Sequence, residues 1–421
     1  MIFKCQGPGG SSHVIIAQAG LMTLLIVEAD NINDAYLSAS CAAYALGMPS
    51  HFAVSATVEE HLGSEGREFP TNDGHLINAG YFWIDRICGA GKAGRPLSDG
   101  EIIDLATQED CLIAPAPHGM SAWCRNLEYQ AKEKDIEVSH AVSIKRGSEV
   151  FLRFDDGSEY YSGFIDRNGR FNPETAPSDR IGLPVLRIGI VGTVEHHSYV
   201  NVAALTSLSD AAEQAAYDLD IRFISESEAD LSGVLSEVYG ILLPGGDAIN
   251  APLQIKIAGE ARRLGKPVVG LCLGMQSMVT AFARSCEGLA DATLAELNSD
   301  SNCISFEPVY SSDGVQIHTI GPAGFHFIKD TKLSGLFDPH PEVRVNHRYS
   351  LSGNMRPVLE KSGLFISAVR NDDGIVEVIE LPQGSFFCGM QGHPEFSSKP
   401  GNPHPLLQSF LAEAAFCSSV N

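Results

Sequence analysis

No two cysteines in this chain stand at CxxC spacing, and no set of them has zinc-ligand spacing. The ten thiols therefore read as reduced cysteines of a reducing compartment, not as a disulfide framework or a structural metal site. Basic residues are scarce: 29 Lys and Arg stand against 52 Asp and Glu, a net charge of −23. Such an acidic balance argues against a nucleic-acid backbone or an anionic membrane as the main partner, although one basic pocket would be enough for a nucleotide. A membrane-spanning run is lacking as well. The apolar stretch Val14 to Val27 is short and interrupted by Gln18 and Gly20. The opening residues put a Gly-rich loop, Gly7-Pro-Gly-Gly10, where a signal peptide would carry its apolar core. Solenoid-type repeats are missing too. A cytoplasmic protein is expected.

With 421 residues and 44% hydrophobic content, the chain has the length and apolar surface for two or three domains with cores. The first, over residues 1–167, reads as a separate mixed α/β domain. A strand over Ile2 to Cys5 leads into the loop Gln6-Gly-Pro-Gly-Gly-Ser-Ser12, which is an ordinary turn unless a helix follows to make it an anion nest. Leu24 to Glu28 reads as a strand. Asn33 to Leu46 reads as a helix capped by Asn31 or Asn33 and stopped by Gly47. A second helix is expected over Gly74 to Cys88. The following Gly89-Ala-Gly-Lys-Ala-Gly94 fails the test for a phosphate loop, because Arg86 and Ala93 stand at positions the motif reserves for glycine and Ser or Thr. Helices over Ser98 to Thr107 and Ser121 to Lys132, a strand over Cys111 to Ala114, and a β-hairpin turning at Asp155-Asp-Gly157 complete this half. Its polar candidates are His13, Asp73, His75, Asp85, His118 and Arg125. They have no metal or triad spacing and read as solvated or structural.

Residues 168–184 hold three prolines and two glycines and read as a linker. From Val185 to the end of the chain, strands and helices alternate: Val185 to Val191, a helix over Val200 to Leu219, and Ile221 to Ser225. This pattern predicts a mostly parallel, doubly wound sheet whose site lies beyond the C-terminal ends of its strands. Two Gly-rich turns belong there. One follows Gly240-Ile-Leu-Leu-Pro-Gly-Gly246. The other holds Cys272 within Gly270-Leu-Cys-Leu-Gly274, after the apolar run Pro267 to Leu271 and before a helix over Met275 to Cys286. Strand, sharp turn and helix have the geometry of a nucleophile elbow, with the helix N-terminus favouring a thiolate; taken alone, the same stretch also fits a buried structural cysteine between two glycines. Downstream stand His347-Arg-Tyr349 and Gln391-Gly-His-Pro-Glu-Phe396.

These motifs, in this order over residues 187–417, resemble the class I (triad) glutamine amidotransferases, and within them the glutaminase domain of CTP synthases. Gly374-Ile-Val-Glu-Val-Ile-Glu-Leu-Pro382 and Ser398-Lys-Pro-Gly-Asn-Pro-His-Pro405 add to the resemblance, and residues 1–186 take no part in it. The resemblance implies Cys272, His393 and Glu395 as a catalytic triad, with Gly246 and Leu273 N–H groups as the oxyanion hole. It implies Gln276, Glu296, Arg348 and Tyr349 as glutamine-binding residues. His393 and Glu395, two apart in a strand, would point the same way. The chemistry implied is hydrolysis of L-glutamine, with ammonia passed to an acceptor in the first domain or in a partner synthase. The glutaminase half needs no cofactor or metal, and an ATP–Mg requirement of the acceptor step stays open. A homo-oligomer is compatible with the sequence; nucleic acid and membrane are not expected as partners.

The chain departs from that pattern in three places. Asp247-Ala-Ile-Asn250 follows the Gly-Gly turn, Gly392 stands where CTP synthases carry Phe, and Thr319-Ile-Gly-Pro-Ala323 replaces a Met-Arg segment. GTP activation is therefore not expected. Two other readings use the same residues: a hydrolase of γ-glutamyl compounds acting alone, and a non-catalytic regulatory or scaffold paralogue.

Overall fold

The computed structural model describes residues 2–6, 12–16, 23–45, 52–62, 67–89, 94–108, 111–172, 182–228, 230–331 and 333–420. The chain divides into two compact units, Met1–Asp179 and Arg180–Asn421.

The first unit is built on six strands: β1 (Thr23–Ala29), β2 (Cys111–Pro117), β3 (Glu137–Arg146), β4 (Glu149–Phe154), β5 (Glu159–Ile165) and β6 (Phe171–Asn172). Their order is β6-β5-β4-β3-β1-β2. β1 runs parallel to both β2 and β3, and β3 to β6 form an antiparallel meander. The expected strand at Cys111 continues past Ala114 through Pro115 and Pro117. Edge position explains this, since a proline there forfeits no N–H that the sheet needs. The hairpin turns as expected, with Gly157 at φ 80°. Helix α1 (Ile32–Ala45) is capped by Asn31, whose Oδ1 accepts from the Asp34 N–H at 2.9 Å. Asn33 serves elsewhere, accepting from the Trp83 indole at 2.7 Å. Helix α2 (Asp99–Ala106) opens with a Ser98–Glu101 capping box, and α3 spans Ser121–Glu133.

One expectation for this unit changes. Residues 74–88 are not one helix. A short strand at Leu76–Ile77, a 3₁₀ turn at Ala79–Tyr81 and a wide π-type turn at Ile84–Cys88 replace it. The cause is tertiary: the Asn78 N–H is drawn to the buried Glu59 carboxylate at 3.1 Å, away from any helical partner. The loop after Ile2–Gln6 leads into a strand, Ser12–Ile16, which pairs back antiparallel, in keeping with the reading of an ordinary turn. Loop residues 7–11, Gly47, turn residues 90–93 and linker residues 173–181 lie outside the described residues. At the start of the expected linker, Phe171 and Asn172 pair with β5.

The main sheet of the second unit has nine strands: β7 (Val185–Val191), β8 (Asp218–Ile224), β9 (Gly240–Leu243), β10 (Val268–Leu271), β11 (Thr319–Phe327), β12 (Glu342–His347), β13 (Phe365–Arg370), β14 (Val376–Glu380) and β15 (Phe387–Met390). Their order is β8-β7-β9-β10-β15-β14-β13-β11-β12. The first five run parallel. The sheet then continues antiparallel through β14, β13, β11 and β12. β9, β10 and β15 are buried at every residue, as continuous apolar runs require in a sheet covered on both faces.

Helices α5 (Ala251–Arg263) and α6 (Leu273–Ala283) cover one face through Ile255, Ile257, Met275, Met278 and Val279. Helices α4 (Val202–Gln214) and α7 (Pro405–Val420) cover the other through Ala204, Leu208, Phe410 and Leu411. The helix expected over Val200 to Leu219 stops early because Ala216 turns left-handed at φ 57°. The Tyr217 N–H then closes on the Ala212 carbonyl at 2.9 Å. No helix among the described residues is long and apolar enough to cross a membrane. None of the described cysteines forms a disulfide.

Candidate active site

The site grows from three neighbouring strands. In register, Leu243 of β9 lies beside Gly270 of β10, and Leu271 of β10 beside Met390 of β15. The residues that follow each strand therefore emerge side by side: Pro244-Gly-Gly246, Cys272, and Gln391-Gly-His393. Their convergence follows from parallel pairing alone.

Cys272 is the turn residue of the elbow. It takes φ 49°, ψ −109° and is the N-cap residue of α6. A side chain rarely adopts this region, so the backbone is strained at the cysteine itself rather than at a glycine. The flanking glycines serve packing. A Cβ on Gly274 would come 2.0 Å from the Leu243 carbonyl oxygen, and one on Gly270 would come 2.5 Å from the Met278 sulfur. The elbow is pinned by the Cys272 N–H, which donates to the Met390 carbonyl at 2.8 Å.

Around the sulfur, the thiol points to the Asn346 backbone carbonyl at 3.7 Å, and Gln391 Nε2 donates to Sγ at 3.8 Å. Gln276 lies one turn into α6. Its N–H donates to the Cys272 carbonyl at 3.1 Å, and its side-chain amide reaches Gln391 Oε1 at 3.5 Å.

His393 Nδ1 sits 2.8 Å from Glu395 Oε1. The strand geometry expected for these two is wrong. Pro394–Phe396 is a 3₁₀ turn with His393 as its N-cap residue, and Pro394 at the first position favours that turn. The His393 ring stacks on Phe396 with centroids 5.1 Å apart, and the His393 backbone N–H donates to the Arg344 carbonyl at 2.8 Å. On the other side a Cβ on Gly245 would meet His393 Cε1 at 3.0 Å and Cys272 Cβ at 3.5 Å, so only glycine leaves this approach open. Cys272, His393 and Glu395 are all nearly sealed from solvent, at 7%, 6% and 1% exposure. Burial pushes the imidazolium towards losing its proton. Glu395 and then Cys272 outweigh it, and the His393 pKa ends well above its ordinary value.

The loop opposite the thiol is fixed by the buried Gln254 of α5, whose amide donates to the Pro244 carbonyl at 3.0 Å. Gly246 follows at φ 135°, a conformation open to glycine. Leu273 is the first residue of α6, where backbone N–H groups have no helical partner.

Glu296 feels the charges of Asp247 and Arg348, and Tyr349 those of Glu296 and Arg348. Burial, then Asp247, raises the Glu296 carboxyl, while Arg348 opposes both. Burial and Glu296 raise the Tyr349 phenol. The Arg348 side chain is exposed, and its carbonyl accepts from the Val309 N–H at 2.9 Å.

Several residues at the site carried no assignment in the sequence. Asn346 acts through its backbone and left no side-chain signal. Gln391 lay inside a recognised motif without a role. Glu377 of β14 is wholly buried, and its Oε1 accepts from the Gly392 N–H at 2.6 Å. Its pKa is pushed up to about 8, chiefly by burial, against the Gly392 N–H, Arg370 and His393. His318 reaches Asn346 Oδ1 through Nε2 at 2.7 Å.

In the first unit, Asp73, His75, His118 and Arg125 are exposed and Asp85 is buried; His13 lies outside the residues whose side chains are described. Among the described residues no group of three or more His, Cys, Asp or Glu could hold a metal ion.

The family model for "Glutamine amidotransferase class-I" matches residues 201–413. A CTP synthase of Chloroflexus aurantiacus is 36% identical over 232 residues, covering 52% of this chain and 42% of that protein. A CTP synthase of Staphylococcus aureus is 32% identical over 235 residues, covering 54% and 44%. The chain thus spans less than half the length of these curated relatives. The solved glutaminase domain of Trypanosoma brucei CTPS with bound acivicin aligns at a TM-score of 0.52 and 27% identity, covering 55% of this chain and 94% of that one. With an elbow thiol, a histidine–glutamate pair and a family model that spans half of its residues, the chain belongs to the class I glutamine amidotransferases.

Proposed function

We propose that the Arg180–Asn421 unit hydrolyses L-glutamine to glutamate and ammonia, with Cys272 as nucleophile. The observation that carries the reading is the strained elbow at Cys272 beside a buried His393 whose Nδ1 is 2.8 Å from Glu395.

Each residue then has one task. The Cys272 thiolate, paired with the His393 imidazolium, attacks the side-chain carbonyl carbon of glutamine. The oxyanion that forms accepts from the Gly246 and Leu273 N–H groups. His393 gives its proton to the departing nitrogen, ammonia leaves, and a γ-glutamyl thioester stays on Cys272. His393 next takes a proton from water, whose oxygen attacks the thioester carbon. Collapse of that second oxyanion expels the thiolate and yields glutamate. Glu395 holds the imidazole ring in one orientation and favours its charged form throughout. Gln276 and Gln391 steady the thiol side, Glu296 takes the substrate ammonium, and Arg348 takes its carboxylate in the paired geometry a guanidinium offers. Tyr349 closes the same pocket.

Ammonia passes to an acceptor held in residues 1–167 or in a partner synthase. At neutral pH a released amine of this basicity is mostly protonated and unreactive, which favours delivery without release. CTP formation is not part of the proposal, because the chain spans only 42–44% of the CTP synthases it resembles. A reducing, cytoplasmic setting suits the thiol chemistry.

Glutamate and ammonia release from L-glutamine by the purified chain, measured beside Cys272→Ala, tests the reading. Release that depends on Cys272 supports it. Full-rate release without any acceptor favours a hydrolase acting alone. No release, together with no covalent labelling of Cys272 by a glutamine-analogue electrophile, overturns it.

A further inference from the structure

We propose that Glu377 is a positioning residue of this site: its carboxyl clamps the Gly392 peptide and so holds His393 in the orientation that faces Cys272. The inference rests on the catalytic reading of His393 given above.

The problem it solves is local. Gly392 directly precedes His393, and a glycine gives the chain rotational freedom at the point where the base must be held still. Two backbone bonds leave that freedom in place on one side or the other. The Gln391 N–H donates to the Glu377 carbonyl at 2.8 Å, and the His393 N–H donates to the Arg344 carbonyl at 2.8 Å. The peptide between them is held by a side chain, Glu377 Oε1, which accepts from the Gly392 N–H at 2.6 Å. A strand residue without an acceptor of this length could not make that bond.

Position 392 and Glu377 are also matched in shape. A Cβ on residue 392 would come 2.9 Å from Glu377 Oε1 and 2.7 Å from both Val343 methyl groups. The space that a side chain at 392 would need is filled by the clamp.

Burial makes the clamp costly. A carboxyl with no solvent exposure in a central strand costs several kcal/mol unless it is bonded or neutral. Glu377 Oε2 has no hydrogen-bond partner among the described residues. The nearby cation is committed elsewhere. Arg370 Nε pairs with Asp373 at 3.0 Å, and its Nη1 donates to His347 Nε2 at 3.1 Å. Packing alone would be served by a methionine or a leucine. The groups that face Glu377 are the Gly392 N–H, Arg370, His393 and Asp373. His393 is faced in turn by Glu395 and Cys272, and His347 lies within reach of Arg370 and His393. Because burial holds the carboxyl neutral until about pH 8, its charge appears only on the alkaline side. There it helps His393 to keep its proton.

Two variants separate the clamp from the charge. Glu377→Gln keeps an oxygen for the Gly392 N–H and cannot ionise. Glu377→Met fills the volume with no such acceptor, and Glu377→Ala replaces it if Met does not fold. The readouts are the pH profile of Cys272 alkylation by iodoacetamide, followed by peptide mass spectrometry, and kcat and KM for glutamine.

Glu377→Met is expected to lower kcat and the neutral-pH alkylation rate by about tenfold, with KM within about threefold of the parent. Glu377→Gln is expected to restore both to within about threefold while moving the alkaline limb of the alkylation profile to lower pH. A folded Glu377→Met with the parent's rates overturns the proposal, as does a folded Glu377→Gln that is no better than Met. Glutamate release by the parent chain decides the glutaminase reading separately. Alkylation needs no glutamine, so a parent that releases none leaves the clamp measurable.

Discussion

His393 and Glu395 face each other at 2.8 Å across a 3₁₀ turn, with Pro394 as the only residue between them. The pair is therefore a local unit. Its geometry is set by three consecutive residues and by the stacking of His393 on Phe396, and it does not depend on a distant strand to supply the acid.

This unit makes the first prediction a pH shift. Glu395 and Cys272 raise the His393 pKa above its unfolded value, against burial. The stability gained from the bound proton is fully present below about pH 6.5 and is lost as pH rises through the folded value. Glu395→Gln removes the larger stabilising charge. The alkaline limb of glutaminase activity and of Cys272 alkylation should move down by about one pH unit or more, and kcat should fall by about 10–100-fold. Limbs at unchanged pH would contradict this role for Glu395.

Cys272 yields a trade of stability against activity. Its φ of 49° is costly for any residue with a Cβ. Cys272→Ala and Cys272→Gly should both abolish glutamate release, and the glycine variant should be the more stable of the two by about 1 kcal/mol. Denaturant unfolding of the two variants side by side measures the difference.

Gly274→Ala tests the packing role of the elbow glycines. The new Cβ would meet the Leu243 carbonyl at 2.0 Å, so β9 and α6 would have to part. A loss of about 3 kcal/mol, or failure to accumulate as folded protein, is expected. A variant that unfolds at the parent's denaturant midpoint would contradict the close approach.

Arg348 should act on binding alone. Arg348→Lys keeps the charge and loses the fork, so KM for glutamine should rise about 10-fold with kcat little changed. Cys272 alkylation by iodoacetamide, which has no α-carboxylate, should be unaffected. A fall in kcat at constant KM would place Arg348 in the chemical step instead.

Acid sensitivity is set by buried neutral histidines. Burial and neighbouring charge push His347 down to about 3, burial pushes His404 down to about 3, and burial pushes His197 down to about 4. For groups lowered in this way the unfolded chain binds more protons, so stability should fall as pH drops from about 6.5 towards 4. His197 alone accounts for on the order of 3 kcal/mol over that window. Denaturant midpoints measured at several pH values check the direction. A midpoint that stays level down to pH 4 would contradict it.

Much of the second unit was legible because its parallel strands are short, wholly buried apolar runs. Gly240–Leu243 and Val268–Leu271 can hardly be anything else. The turns that follow them then place the thiol and the Gly-Gly loop together. What stayed hidden depended on contacts between distant residues. Asn78 leaves a helical pattern because Glu59, far away in sequence, takes its N–H. β3 is half-exposed along most of its length, and it buries Ala141 while Val142 stays exposed, so hydrophobicity was a poor guide to it. Glu377 sits among Val376, Val378 and Ile379, all buried, so its carboxyl carries no periodic signal on either face. The partner that explains it, the Gly392 N–H, is a backbone group that no side-chain pattern can announce.

The strand order β9-β10-β15-β14 has a consequence for how the protein is made. β15, which ends at Met390, slots between β10 and β14, although both precede it in the chain. The centre of the sheet stays open until that segment has been synthesised and has inserted. A nascent chain can carry Cys272 out of the ribosome well before His393 and Glu395, which follow β15 in the sequence. Chains that stop before β15 should thus present an unassembled sheet edge and a thiol without its histidine.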